Sequence, residues 1–350
     1  MSAEEASRGI AGAAQPPACL LRHRDLIDHG LRAATDRLWP KVGRAVAYHF
    51  GWCNAEGLPV DGDSGKGIRP ALTLLVTEAY GEPAESALSG AVALELLHNF
   101  SLIHDDIIDG DTERRHRPTV WATFGTAQAI IAGDALSNLA LHLLLEADRP
   151  ESQVAAAELC RASAAMIEGQ AQDLDFEARL DVTLEEGLAM SARKTGALFA
   201  CAGALGAIFA HHDHAAELAA WRAFGRDLGT AFQAVDDVLG IWGEPQITGK
   251  PRANDVRQRK KSLPILHALR PEAPYRRELT DILTSAEDIT ETDLARVVAL
   301  LEASGSRAWA LDLAERKLQQ ALAHLADQPL LPGPAEELRQ AAEFLVRRQY

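Results

Sequence analysis

The sequence predicts an all-α fold, a single large bundle of long helices, and three observations carry that prediction. Strict apolar–polar alternation, the mark of half-buried strands, is nearly absent, whereas apolar residues recur at helical spacing along most of the chain. The stretch from Ser86 to Asp109 contains almost no helix breaker. No internal repeat, heptad run or linker divides the chain, and 350 residues with 47% hydrophobic content are ample for one substantial core.

Residues 1–17, rich in Ala, Gly and Glu, read as a disordered tail, leaving 18–350 as one helical domain. A loop is expected over 51–69, then a long helix from Ser86 to Asp109. Pro118 suits the first turn of the next helix, where its missing N–H does no harm. Thr183 with Glu186 forms a capping box ahead of another. The apolar stretch Gly196 to Ala210, "GALFACAGALGAIFA", is too short to span a membrane, and its small residues suit a tightly packed buried helix. Ala215 to Gly240 and Arg307 to Ala326 give two more long helices, with a loop over 243–264 between them.

The formal charge of −15 argues against duplex DNA or an anionic membrane surface as the main partner. Cys19, Cys53, Cys160 and Cys201 show neither paired nor metal-type spacing, which fits free thiols in a reducing cytosol. No basic stretch followed by an apolar core opens the chain, so a secretory signal is not expected and the protein reads as cytoplasmic, without integral membrane association.

Chemistry concentrates in "SLIHDDIIDGDTERRHRPTVW", residues 101–121. A step of four residues advances about 400° on an ideal helix, so Asp105 and Asp109 share a face, with Asp106 about 100° round. His98, seven residues before Asp105, falls on the same stripe; without that alignment it would read as a core histidine. Neighbouring carboxylates raise each other's pKa unless a cation sits between them, and Mg²⁺, which binds through one or two carboxylates plus phosphate and water, suits that role. A second cluster, "GTAFQAVDDVLGIWG" at 229–243, places Asp236 and Asp237 at the end of another apolar helix, with Gln233 one turn earlier. Two such helices can face each other across a cavity and hold metal ions around a diphosphate. Anion-binding groups lie close in sequence: Lys66 and Arg69 before a helix, Arg114 and Arg115 after the first acidic cluster, Lys194 with Thr195, and Lys250 and Lys260 in the 243–264 loop. By contrast, His211, His212 and His214 read as an exposed helix junction, because no second ligand group lies near them. Trp121 and Trp242 read as packing anchors.

The order GKxxRP, a helix ending DDxxD, RR-x-x-PT, KT, FQ-x-x-DD, and GKP before a basic loop resembles the trans-isoprenyl diphosphate synthases, from about Gly65 to Pro264. These are all-helical prenyltransferases of the farnesyl and geranylgeranyl diphosphate synthase type. The resemblance implies an isoprenoid-synthase bundle around a central cavity, two diphosphate substrates, three Mg²⁺ ions and a homodimer. Asp105 and Asp109 would hold two ions and Asp236 the third, with Asp106 and Asp237 as nearby ligands. Arg114, Lys194, Lys250 and Lys260 would bind the allylic diphosphate. Lys66, Arg69, His98 and Arg115 would line a metal-free pocket for isopentenyl diphosphate, with the Arg347–Arg348 pair as a candidate cover. Thr195 and Gln233 would offer oxygen dipoles to a carbocation, and Gln170 and Asp173 would stand just behind the metals.

The chain departs from the family pattern at Gly240, where the second motif usually ends in a third Asp; weaker Mg²⁺ affinity is the expectation. Family logic places the product-length floor at Phe100 and Ser101. The helical wheel alone favours Ser101, about 40° from Asp105, over Phe100, about 140° away. A single aromatic at Phe100 resembles the C20, geranylgeranyl pattern, with C15 farnesyl as the alternative. A terpene cyclase and a non-catalytic modulatory subunit are the rivals on the same fold. The intact basic set opposes the first, and five of six motif aspartates oppose the second.

Overall fold

The computed structural model describes residues 16–60, 62, 65–146, 149–179, 181–244, 252–285 and 287–347. Within them the chain is almost wholly helical. Short α1 (Ala18–Leu21), α2 (Arg24–Thr35) and α3 (Pro40–His49) precede a loop closed by a single bridge between Cys53 and Pro59. Then come α4 (Ile68–Ala79), a 3₁₀ turn (Ala84–Ala87) and α5 (Leu88–Ile108). A two-residue hairpin pairs β1 (Glu113–Arg114) with β2 (Arg117–Pro118), and is followed by α6 (Val120–Phe124), α7 (Thr126–Glu146) and α8 (Ser152–Ala178). The second half holds α9 (Leu184–Lys194), α10 (Gly196–Phe209), α11 (Ala215–Trp242), α12 (Asn254–Arg257), α13 (Leu263–Ala268), α14 (Arg276–Leu283), α15 (Glu291–Ala303), α16 (Ser306–Ala326) and α17 (Pro332–Arg347).

The buried axis of the bundle is α10. Every one of its residues is buried, and it packs on α4, α5, α8 and α11. Its small residues let α11 come close: a Cβ on Gly229 would lie 2.5 Å from the Cα of Gly196. Only glycine at 229 permits that backbone approach. The consequence is functional, because it brings the later turns of α11, with Gln233 and Asp236, against the α9–α10 junction at Thr195. One large hydrophobic cluster runs from Cys19 to Val346, and a second, around Ile241, Val256 and Val297, ties the end of α11 to α12 and α15.

Several expectations are met in detail. The Thr183 hydroxyl caps α9 by accepting from the Glu186 N–H, and the Glu186 carboxylate accepts from the Thr183 N–H in return. His211 and His212 pair with Glu151 (2.9 Å) and Glu217 (3.2 Å) at a helix junction. Others need correction. Pro118 lies in the hairpin, and the helix begins at Val120 behind Thr119. Arg69 sits inside the first turn of α4 rather than before it. The 243–264 loop carries α12, and α11 runs on to Trp242, beyond Asp237. Two helices longer than the 196–210 stretch, Ala84–Ile108 and Thr126–Glu146, are apolar enough to cross a membrane by composition; the apolar window of the first is 67% buried inside the bundle, as a core helix would be.

Candidate active site

A cavity of about 720 Å³ opens between α5, α8, α9 and α11. Asp105 and Asp236 both line it, so the two acidic motifs do meet. A second cavity of about 410 Å³ adjoins it across a shared wall of Lys194, Thr195, Gln233 and Asp236.

In each Asp-Asp pair only the first residue reaches the larger cavity. Asp106 is 1% exposed and takes both Nε and Nη2 of Arg114 on Oδ1, each at 2.7 Å. Asp237, also buried, accepts from Gln233 Nε2 (2.7 Å) and from the Leu263 N–H (2.8 Å). Burial, with Asp255 and Asp236 adding repulsion, pushes its carboxyl up to about 7 against those hydrogen bonds. Asp105 is pushed up to about 6, by burial first and by Asp109 and Asp106 beside it, while Lys194 and Arg114 pull the other way. Such a carboxylate favours a nearby cation. Asp109 caps α5 and faces Lys260 of the later loop at 3.7 Å. Among the described residues no three His, Cys, Asp or Glu form a ready-made cage.

The cationic side groups differently from expectation. Arg69, His98, Arg114 and Arg115 line the larger cavity, whereas Lys66 and Lys260 line the smaller one. Arg69 Nη1 donates to His98 Nε2 (3.1 Å), and Arg69 Nε is buried without a partner among the described residues. Burial first, then Arg69 and Arg115, hold His98 far below its ordinary value, so it is a neutral acceptor. Behind it, Asn99 bridges the buried Glu95 (3.1 Å) and His49 (3.0 Å). Lys194 donates to Asp173 at 2.5 Å; burial lowers its pKa, but Asp173, Asp105 and Asp109 outweigh that and raise it. Gln170 lines the larger cavity with its buried Oε1 unpaired among the described residues. Thr195 Oγ1 donates to Gln233 Oε1 (2.7 Å), completing a relay from Thr195 through Gln233 to Asp237. Lys250 and Arg348 lie outside the described residues, and Arg347 is turned to Glu315 (2.7 Å) and Glu343 (3.5 Å).

Sequence spacing gave no sign of the hairpin that aims Arg115. Arg115 and His116 both take positive φ, 52° and 58°, at the two central positions between paired Arg114 and Arg117. That is a turn glycine and asparagine usually make. Non-glycine residues held there cost of order 1–3 kcal/mol each and cluster at functional sites. The result sets the Arg115 guanidinium against Gly65, where a Cβ would lie 2.6 Å from Nη2. The apolar wall was also illegible one residue at a time: Phe100, Ile108, Met166, Ile167, Leu174, Leu198 and Phe232 come from four helices. Phe100 and Ser101 both line the cavity, and the Phe100 ring packs edge-on against His104 with centroids 4.8 Å apart.

A pocket with acids from two helices, bases beside them and an apolar wall suits an amphiphilic diphosphate, and the comparisons agree. The polyprenyl synthetase family model matches residues 60–301. A (2E,6E)-farnesyl diphosphate synthase of Mycobacterium tuberculosis H37Rv is 44% identical over 328 residues, 93% of this chain and 91% of the relative. A geranylgeranyl diphosphate synthase of the same organism is 37% identical over 322 residues, 91% and 90% of the two chains. The crystal structure of a polyprenyl synthetase from Streptomyces coelicolor A3(2) superposes with a TM-score of 0.90 at 46% identity, covering 94% of this chain and 99% of the other. With the family model over most of its length and relatives this similar along both chains, this chain belongs to the polyprenyl synthetase family of trans-prenyl diphosphate synthases.

Proposed function

We propose that this enzyme joins isopentenyl diphosphate to an allylic diphosphate and releases an all-trans C20 prenyl diphosphate, geranylgeranyl diphosphate. The observation that carries the reading is the single cavity in which Asp105 and Asp236 meet opposite an apolar wall. Asp105 and Asp109 on one side and Asp236 on the other would hold Mg²⁺, three ions by family resemblance; bound there, the metal offsets the charge of the leaving diphosphate. Lys194, Lys260 and Arg114 complete the allylic diphosphate site, and Lys250 is assigned to it by motif alone. Asp106 keeps Arg114 in place, Asp173 does the same for Lys194, and Gln170, whose buried Oε1 is at the same cavity, would stand behind the metals as the family resemblance implies. Arg69, Arg115 and His98, with Lys66 reaching over from the adjoining smaller cavity, take isopentenyl diphosphate; the Nε of Arg69, buried without a partner among the described residues, is a donor a phosphate oxygen would satisfy.

When the allylic C–O bond breaks, its electron pair leaves with the diphosphate and a carbocation remains. The Thr195 oxygen, locked as donor to Gln233, presents lone pairs as a fixed dipole that stabilises positive charge without a free nucleophile. The isopentenyl double bond then attacks, and a proton is lost to the departed diphosphate. The apolar wall excludes water that would trap the cation as an alcohol. Residues 18–350 act as one catalytic domain in the cytoplasm, as a homodimer for which exposed Ile130 and Ile131 on α7 supply apolar surface.

A C15 product is the second reading, favoured by the 44% identity to a farnesyl diphosphate synthase. Incubation with Mg²⁺, isopentenyl diphosphate and each allylic primer, followed by mass spectrometry, decides. Extension of a C15 primer to C20 supports the proposal; arrest at C15 selects the alternative; cyclic hydrocarbons, or no product from any primer, overturn both. In the same assay Phe100→Ala shifts the main product one or more C5 units longer, and an unchanged product removes Phe100 from the floor.

A further inference from the structure

A chain of polar side chains runs behind the bases of the larger cavity: Glu95 and Asn99, both buried on α5, and the partly buried His49 of α3. Asn99 Nδ2 donates to the Glu95 carbonyl at 2.8 Å and to Glu95 Oε1 at 3.1 Å, which commits both amide hydrogens. Its Oδ1, 3.0 Å from His49 Nε2, is left as an acceptor, so Nε2 must carry the hydrogen. The imidazole is thereby a neutral donor, and burial first, then Arg115 and Arg114, hold it down to about 3.

Both ends of this chain meet groups assigned to isopentenyl diphosphate. Glu95 precedes His98 by three residues and shares its helical face. It also lines a small cleft with Gly65, Lys66 and Gly67. Burial raises the Glu95 carboxyl, while Arg69 first and then the Asn99 hydrogen bond pull it back; Glu95 in turn opposes the burial that lowers Arg69. At the other end His49 lines a second cleft with Asp106 and with Arg114, Arg115 and Arg117 of the hairpin. A carboxylate this deeply buried is tolerated when it is paired and hydrogen-bonded, and Asn99 supplies a hydrogen bond without bringing a second charge.

We propose that Asn99 is a positioning residue for isopentenyl diphosphate: through Glu95 it sets Arg69, and through His49 it ties that setting to the hairpin that carries Arg115. An amide is required because it gives to a carboxylate and takes from an imidazole at once. Aspartate at 99 could not give, and leucine could do neither. This inference rests on the function proposed above and adds the residues that hold its metal-free pocket in shape.

The test is steady-state kinetics of the full chain at saturating Mg²⁺ with each substrate varied in turn, folding being checked by thermal unfolding. Asn99→Leu raises KM for isopentenyl diphosphate about tenfold, the size of one lost hydrogen bond to a charged group, and leaves KM for the allylic diphosphate within about twofold of wild type. His49→Leu gives a selective rise of the same kind. His49→Gln, whose amide still donates to Asn99 Oδ1, returns KM to within about twofold of wild type. Equal rises in both KM values, or a fall in kcat with both unchanged, overturn the proposal, because a merely structural loss does not choose between substrates. A His49→Gln chain no better than His49→Leu overturns it too. If Asn99→Leu fails to fold, the two His49 variants decide by the same split, and a His49→Leu chain that fails to fold marks a structural role and overturns it. A wild-type chain that extends no primer overturns the proposed function as well.

Discussion

At the end of α5, Asp105 lines the larger cavity while Asp106 is turned away into the grip of Arg114; on α11, Asp236 lines both cavities, whereas Asp237 lines only the smaller one and is held by Gln233 and the Leu263 N–H. Adjacent helical residues diverge by about 100°, so one acid of each pair can face a ligand and its neighbour must find another partner. The partners differ in kind. Asp106 meets a guanidinium, a charge-assisted contact, whereas Asp237 meets only neutral donors. The first motif is thus locked to the basic hairpin that follows it, and the second to the amide relay ending at Thr195. The third positions also diverge, with Asp109 reaching Lys260 and Gly240 lying against the Asp255 side chain. In each DD pair one acid lines the larger cavity and the other is a brace, and the brace decides which neighbouring element is held to the site.

The comparison breaks most visibly at the cavity-facing acids. Asp105→Ala and Asp236→Ala each lower kcat by at least about a thousandfold, the scale seen when groups stabilising developing charge are removed. Near-normal steady-state rates in either variant would remove that helix from the reaction. The braces come next. By urea denaturation Asp106→Asn is destabilised by about 2–3 kcal/mol, the range for losing a buried hydrogen bond to a charged group, and Asp237→Asn by about 1 kcal/mol. Equal losses would mean the charged and neutral partners do the same job. Lys66→Ala sharpens the division of the cations: KM for isopentenyl diphosphate rises about tenfold with kcat little changed, the pattern of lost uniform binding. Because Lys66 lines the smaller cavity with Asp236 and Lys260, a rise confined to the allylic substrate would move it to the other pocket. The smallest effect is remote from both motifs: Thr183→Ala removes the α9 cap for about 1 kcal/mol of stability, without changing product length.

Features decided within a few residues were legible before any coordinates. The helical period, the shared face of Asp105 and Asp109, the capping box at Thr183 and the small-residue helix 196–209 all follow from local geometry. Motif order supplied most of the candidate bases. The boundaries that failed, at Pro118 and within 243–264, failed for a tertiary reason. The hairpin holds Pro118 extended, with its carbonyl accepting from the Tyr48 hydroxyl at 2.8 Å, and α12 is anchored by burial of Val256.

Sequence by itself determined that this chain is helical, that it carries two acidic motifs and where its charges sit along each helix, because those properties depend on spacing along one backbone. Only the tertiary structure decided which acid of each pair faces the larger cavity, that Lys66 lines the smaller cavity while Arg69 lines the larger, and that Arg115 is aimed by a strained turn. It also decided that Asp255 lies on Gly240. Those outcomes depend on how closely α10 and α11 approach and on contacts between residues far apart in the chain, and packing, not local period, sets both.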